Sequence, residues 1–245
     1  MSGRFVVLPT AAAVAEAAAD RIVAAARNAI RRRGRFVVAL SGGSTPRAVY
    51  SLVAAPPRVG AVDWSRVEFF WGDERAVPPD HDDSNFGVAR RLLLDRLPGV
   101  RPAAIHRMPA DAPDREAAAR RYAVEIARAF GIATNAPRPP AFDLVWLGIG
   151  RDGHTASLFP GSTALAERRA WVVATWAPAL AAWRMTFSLP LINAARAVLF
   201  VVTGSDKSEA LGSVRSGSGS LPAARVHAGS TLWLVDSHAA GTDGS

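Results

Sequence analysis

The residues best equipped for chemistry stand in Gly148-Ile149-Gly150-Arg151-Asp152-Gly153-His154-Thr155, which runs on into Ala156-Ser157-Leu158-Phe159-Pro160. A histidine in such a turn can exchange protons near neutral pH, because its unperturbed pKa lies close to the working range. Gly148, Gly150 and Gly153 also reproduce the spacing of a dinucleotide-binding fingerprint. That fingerprint needs a helix opening after its third glycine and an acidic residue roughly 20 positions on. Here Phe159-Pro160-Gly161 stops any helix within two turns, and the next strand candidate, 171–176, carries no acid. The segment is therefore read as a strand-end loop bearing an acid–base histidine.

Three further segments carry suitable groups. In Ser41-Gly42-Gly43-Ser44-Thr45-Pro46, two glycines expose backbone N–H groups, two hydroxyls follow, and the proline suits a first helical turn. Such a helix start binds phosphate through free N–H groups and the helix dipole, although a tight turn with a capped helix would give the same pattern. It lacks the G-K-[ST] ending of a Walker loop, and no G-x-S-x-G elbow of a serine hydrolase occurs anywhere. The loop from Gly72 to Asn85 offers Asp73, a carboxylate able to orient water or histidine, and Arg75, a guanidinium suited to phosphate. Its other acids and His81 invite a metal, but they show no recognisable ligand spacing, and Asp83 and Ser84 serve as helix caps. Arg184 opens an alternating strand, where a surface arginine is the plain alternative to a binding role. Lys207 follows Thr203-Gly204-Ser205-Asp206 in the first turn of a helix. A cation there opposes the dipole, so either an anion lies between them or the lysine pairs with Asp206 or Glu209.

The elements that hold these loops alternate. Strands are expected at 4–8, 36–40, 67–71, 142–147, 171–176, 184–189, 198–203 and 231–235. Between them, Thr10 caps a long helix with Val14, Ala18, Ile22, Ala25 and Ile30 inward, a second helix follows the Ser41–Pro46 turn and runs through Leu52, and others follow at 85–97, 115–130 and 206–214. Apolar strands separated by helices predict an α/β fold whose mainly parallel sheet is covered on both faces. A short apolar stretch surrounds Ile105, residues 135–140 form a proline-rich connector, and 215–220 form a Gly/Ser-rich loop. With no repeat and no linker, residues 1–245 are expected to form a single domain. The chemically equipped loops all follow strand candidates, at the carboxyl ends where open α/β sheets bind ligands.

Composition narrows the function classes. The 245 residues contain no cysteine, which excludes disulfides, thiolate metal sites and a cysteine nucleophile. No apolar run approaches the roughly 20 residues that span a membrane, and the alanine-rich start is not a signal peptide. A soluble cytoplasmic protein is expected. The net charge of +8 points to an anionic partner. The arginines are scattered, however, and no nucleic-acid-binding pattern appears. The one tight run, Arg31-Arg32-Arg33, ends a helix, where cations favour the dipole, and is read as solvated. Lys207 is the single lysine among 29 basic residues. His81, His106, His227 and His238 are read as structural or solvent-exposed.

Together these motifs resemble the 6-phosphogluconolactonase family. The similarity runs through Ser41-Gly42-Gly43-Ser44-Thr45-Pro46, Gly72-Asp73-Glu74-Arg75, Val77-Pro78, Ser84-Asn85, Asp152-Gly153-His154-Thr155-Ala156-Ser157-Leu158-Phe159-Pro160, Arg184 with Thr186, and Lys207. The resemblance implies a Rossmann-like α/β/α sandwich shared with glucosamine-6-phosphate deaminase and ribose-5-phosphate isomerase, and a site without cofactor or metal. It implies His154 as general base on water, with Asp73 and Asp152 positioning the histidine or the water. Arg75, Arg184 and Lys207 would hold the phosphate of a sugar-phosphate lactone, aided by Gly42, Gly43, Ser44 and Thr45. A monomer or weak homo-oligomer is expected, with neither nucleic acid nor membrane as partner. Ala76, where an aromatic or larger residue is common, and the shortened approach Pro178-Ala179-Leu180 depart from the pattern without touching the implied chemistry. Two alternatives follow from the same scaffold. Amino-sugar-phosphate deaminases carry a glutamate shortly after the histidine, and residues 155–160 contain no carboxylate. A sugar-phosphate-sensing regulator would need a DNA-binding domain, for which the lengths before Phe36 and after Val235 are too short.

Overall fold

The computed structural model describes residues 3–134, 136–217 and 221–242. The chain runs β1 (Arg4–Leu8), α1 (Ala11–Arg33), β2 (Phe36–Leu40), α2 (Ser44–Val53), β3 (Val67–Trp71), β4 (Asp73–Arg75), α3 (Asn85–Leu92) and α4 (Arg115–Phe130). It continues with β5 (Leu144–Leu147), α5 (Thr163–Ala166), β6 (Val172–Ala177), β7 (Ala182–Phe187), α6 (Leu189–Asn193), β8 (Val198–Val202), α7 (Ser208–Ser216), β9 (Thr231–Asp236) and α8 (Ser237–Ala240).

Six strands form one parallel sheet in the order β1-β9-β8-β5-β2-β3. The central strands β2, β5 and β8 are buried along their whole length, as their unbroken apolar sequences require. Helix α1 starts where Thr10 Oγ1 accepts the Ala13 N–H and ends where Gly34 adopts a left-handed φ of 77°. Val14, Ala18 and Ile22 are buried as expected, Ala25 and Ile30 are half-buried against the core, and Ala15, Ala19, Val23, Ala26 and Ala29 complete the stripe.

Strand order reverses between β2 and β5. From β2 the chain steps outward to β3, and from β5 it steps the other way through β8 to β9. Loops leaving β2 and β5 at their carboxyl ends therefore diverge and open a crevice, the usual ligand position in such sheets. The Ser41–Thr45 and Gly148–His154 segments are those two loops.

Several expectations need correction. Strands β6 and β7 do not join the parallel sheet. They form a hairpin whose four-residue connection, with Ala181 at φ 45°, is far too short for a parallel crossover. The expected loop after Gly72 begins instead with β4, which pairs antiparallel with β7 and makes a second sheet, β4-β7-β6. Arg184 thus lies inside a strand rather than at its start. Helix α3 stops at Leu92, because Leu93 leaves helical geometry at φ −127°, and a 3₁₀ turn covers Leu94–Arg96. Ser205–Lys207 is a 3₁₀ turn, so α7 starts one residue after Lys207, and it takes in Arg215 and Ser216 of the expected Gly/Ser loop. Residues 218–220 of that loop and Asn135 of the connector lie outside the described residues. Arg33 is not simply solvated: it pairs at 2.9 Å with the nearly buried Asp143, whose other oxygen accepts the Val37 N–H.

Candidate active site

Four strand ends supply the site. After β2, the chain turns at Gly42 and at Gly43, which has φ 108°, and enters α2 without a side-chain cap. The first N–H groups of α2 are left for a ligand, as uncapped helix starts are. Tyr50 anchors this turn by donating its hydroxyl to the Ser41 carbonyl at 2.5 Å. Thr45 Oγ1 lies 2.9 Å from Thr203 Oγ1 and ties the turn to the end of β8. Gly42 has no room for a side chain, since a Cβ there would lie 1.6 Å from Asn85 Oδ1.

After β5, the backbone folds back on itself. Gly150 N–H donates to the His154 carbonyl at 2.8 Å, and Gly153 N–H donates to the Gly150 carbonyl at 3.0 Å. Thr155 Oγ1 donates to the Gly148 carbonyl, closing the turn from its other end. This brings Asp152 Oδ1 to 2.5 Å from His154 Nδ1, while the same oxygen accepts the His154 N–H. A carboxylate on Nδ1 keeps the hydrogen there and leaves Nε2 as the free acceptor. The ring packs on Phe159 at 4.6 Å between centroids. Partial burial pushes the Asp152 carboxyl up, but the charge of His154 and its hydrogen bonds outweigh this and hold it below the usual range.

After β3, strand β4 alternates. Asp73 and Arg75 line the cleft, and Glu74 between them is 2 % exposed on the other side. The Asp73 carboxylate accepts from Ser157 Oγ at 2.7 Å, and its carbonyl accepts from Asn85 Nδ2 at 2.9 Å. Asp152 is thus the carboxylate hydrogen-bonded to the imidazole, whereas Asp73 is held by Ser157 and Asn85. Arg75 donates to the Asp83 carbonyl and Arg184 to the Trp183 carbonyl, and the two arginines are register partners. Burial and then the Arg75 charge press the Arg184 pKa downward. After β8, Lys207 pairs with Asp206 at 3.0 Å, the pairing that its position allowed as one alternative, and Arg151 takes the same carboxylate oxygen at 2.9 Å.

The histidine, Asp73 and the three cations line one cleft. Its walls include Gly42, Gly43, Asp73, Arg75, His154, Arg184 and Lys207. Ser44 and Thr45 line the adjoining recess over the start of α2, which shares Gly42, Gly43 and Lys207. Asp152, hydrogen-bonded to His154, is not among these walls. Sequence reasoning attached no role to Glu74, Asn85 or Ser157. The only local signal for Glu74 was its place between two residues of opposite charge, and for Ser157 there was none. Among the described residues, no group of three or more His, Asp or Glu side chains is arranged to hold a metal. No helix among them is long and apolar enough to cross a membrane. The remaining histidines stand apart from the cleft: His106 is buried between Glu68 and Glu125, and His81 accepts the Asp83 N–H.

Such an arrangement can take a proton from water at Nε2 while cations and backbone N–H groups hold an anion in the same cleft. The chain is similar to known proteins over most of its length. Residues 9–233 match the family described as glucosamine-6-phosphate isomerases/6-phosphogluconolactonase. The 6-phosphogluconolactonase of Synechocystis sp. is 41 % identical over 215 residues, 86 % of each chain. That of Nostoc sp. is 39 % identical over 237 residues, 95 % of each. The 6-phosphogluconolactonase structure from Trypanosoma cruzi superposes with a TM-score of 0.88 at 28 % identity, covering 100 % of this chain and 99 % of that one. A monomeric glucosamine-6-phosphate deaminase shares the fold, with a TM-score of 0.79 at 21 % identity over 99 % of this chain and 100 % of that one.

Proposed function

The chain belongs to the family of glucosamine-6-phosphate isomerases and 6-phosphogluconolactonases, and from that membership we propose that it hydrolyses 6-phospho-D-glucono-1,5-lactone to 6-phospho-D-gluconate. The observation that carries the choice within the family is the pairing of His154 with Asp152 in a cleft that also presents Arg75, Arg184 and Lys207. An acid–base group supported by a carboxylate and a separate anion anchor are what a phosphorylated lactone needs.

In this reading the phosphate rests on the Gly42–Thr45 turn and the three cations, which sets the lactone carbonyl beside His154 Nε2. Water adds to the carbonyl carbon as Nε2 takes one of its protons. The bond from that carbon to the ring oxygen then breaks, and the proton on the imidazole is the one at hand for the departing oxygen. Asp152 stabilises the imidazolium in between. Backbone N–H groups or a cation steady the oxyanion. Asp73 positions the water from the opposite wall. The residues need no cofactor or metal for these steps.

The deaminase alternative shares the fold but is disfavoured, because residues 155–160 offer no carboxylate beside His154. The remaining parts of the reading are a single catalytic domain, monomeric or weakly self-associating, in the cytoplasm. Detection of 6-phosphogluconate by a coupled reaction, corrected for spontaneous hydrolysis, tests the activity.

A further inference from the structure

Glu74 is the most deeply buried carboxylate beside the cleft, yet it faces away from it. One of its oxygens, Oε1, accepts the backbone N–H groups of Arg75 and Asn85, each at 2.8 Å. The other, Oε2, accepts the Phe86 N–H at 2.8 Å and Ser84 Oγ at 3.2 Å. Ser84 Oγ itself accepts the Gly87 N–H. An ionised carboxylate can accept from all four partners at once. Burial holds the Glu74 pKa above the usual carboxylate range, although three backbone N–H groups pull it down; the Asp73 charge adds to the rise.

These bonds join two elements. Arg75 belongs to β4, whereas Asn85 and Phe86 open α3, where a negative charge also meets the positive end of the helix. From α3, Asn85 reaches back with Nδ2 to the Asp73 carbonyl and packs Oδ1 against Gly42. The chain Glu74–Asn85–Gly42 thus links β4 to the phosphate-binding turn through groups that are 2 % exposed in both side chains. Because β4 is three residues long and lies between Gly72 and an irregular loop, its ladder with β7 alone is a weak anchor for two functional side chains.

We infer that Glu74 is a positioning residue, whose carboxylate locks β4 to the start of α3 and thereby holds Asp73 and Arg75 in the cleft. The inference rests on the proposed lactonase reading for its kinetic consequences but not for its binding consequences. Nothing in it requires Glu74 to touch the substrate.

The test is Glu74→Gln, which keeps the volume but can accept at only one of the two oxygens, leaving its NH₂ facing two donors. Inorganic phosphate binding is measured by calorimetry and lactone kinetics by the coupled assay, in Glu74→Gln, Arg75→Ala and the double variant, each checked for a cooperative melt. We expect Glu74→Gln to weaken phosphate binding and raise KM by about tenfold or more, through misplacement of Arg75. Adding Arg75→Ala should then change either value by less than about threefold, because the two act as one unit. Phosphate affinity and KM within about twofold of wild type, or losses that multiply in the double variant, would overturn the inference. Should Glu74→Gln fail to fold, Glu74→Asp, which keeps the charge but withdraws it from α3, must show the same shift; unchanged binding in that variant also overturns it. A wild type without lactonase activity refutes the reaction and leaves phosphate binding to decide Glu74. A wild type that binds no phosphate refutes the positioning role.

Discussion

Arg75 and Arg184 stand directly opposite each other in the antiparallel β4–β7 ladder, both half-buried at the cleft. Like charges placed opposite across a ladder destabilise it by about 0.2–1 kcal/mol. The arrangement makes physical sense where an anion sits between the two guanidinium groups. Arg184→Ala should therefore raise KM for the lactone by about 10- to 100-fold with a smaller effect on kcat, while leaving the melting temperature unchanged or slightly higher. Steady-state kinetics and a thermal melt on the same preparation check both halves. A stability loss with intact KM would assign Arg184 a structural role.

Two glycines are sterically committed to the site. A methyl at Gly150 would lie 2.1 Å from His154 Nδ1, and the partly exposed imidazole can yield only by leaving Asp152. Gly150→Ala is expected to fold, to keep KM within a few-fold and to lose about 100-fold in kcat. At Gly42 the obstacle is the buried Asn85, which has no free direction. Gly42→Ala should lower stability by about 1–3 kcal/mol as well as activity. Denaturant titration separates the two cases.

Stability should fall on the alkaline side through His106. Its Nδ1 lies 2.8 Å from Glu125 and its Nε2 2.8 Å from Glu68, with the ring stacked on Phe70 at 4.1 Å. Burial alone would lower the imidazole pKa, but the two carboxylates outweigh it and push it up to about 9. A group whose folded pKa is raised stabilises fully below its unfolded pKa of about 6.5, and that contribution is lost as pH rises through about 9. Melting temperature should thus decline between about pH 6.5 and 9.5 in the wild type and decline less in His106→Gln. Equal slopes would show that the cluster titrates alike in both states.

Glucosamine 6-phosphate should not be turned over. Ammonia release above background from that substrate would mean that another group replaces the carboxylate missing from residues 155–160.

The layout of the parallel sheet could be read from runs such as 36–40 and 198–202, because fully buried strands leave unbroken apolar stretches. Glycine and proline likewise marked the turns at Gly43 and Gly161. The second sheet escaped, since Asp73-Glu74-Arg75 is polar, three residues long and pairs with a strand more than a hundred positions away. Nothing local distinguishes such a strand from a loop. Separation in sequence also hid Ser157 as the partner of Asp73, 84 positions away, and the Arg33–Asp143 pair. Asp152 beside His154 was different: two residues apart in one glycine turn, they had little choice but to meet.

Lactone hydrolysis with His154 as base is settled by initial rates of 6-phosphogluconate formation from fresh 6-phospho-D-glucono-1,5-lactone, with the spontaneous rate subtracted, for wild type and His154→Ala. Turnover well above background is expected in the wild type, with a kcat about 10²- to 10⁴-fold lower in a folded His154→Ala protein. A wild type no faster than buffer, or a variant as fast as wild type, would contradict it.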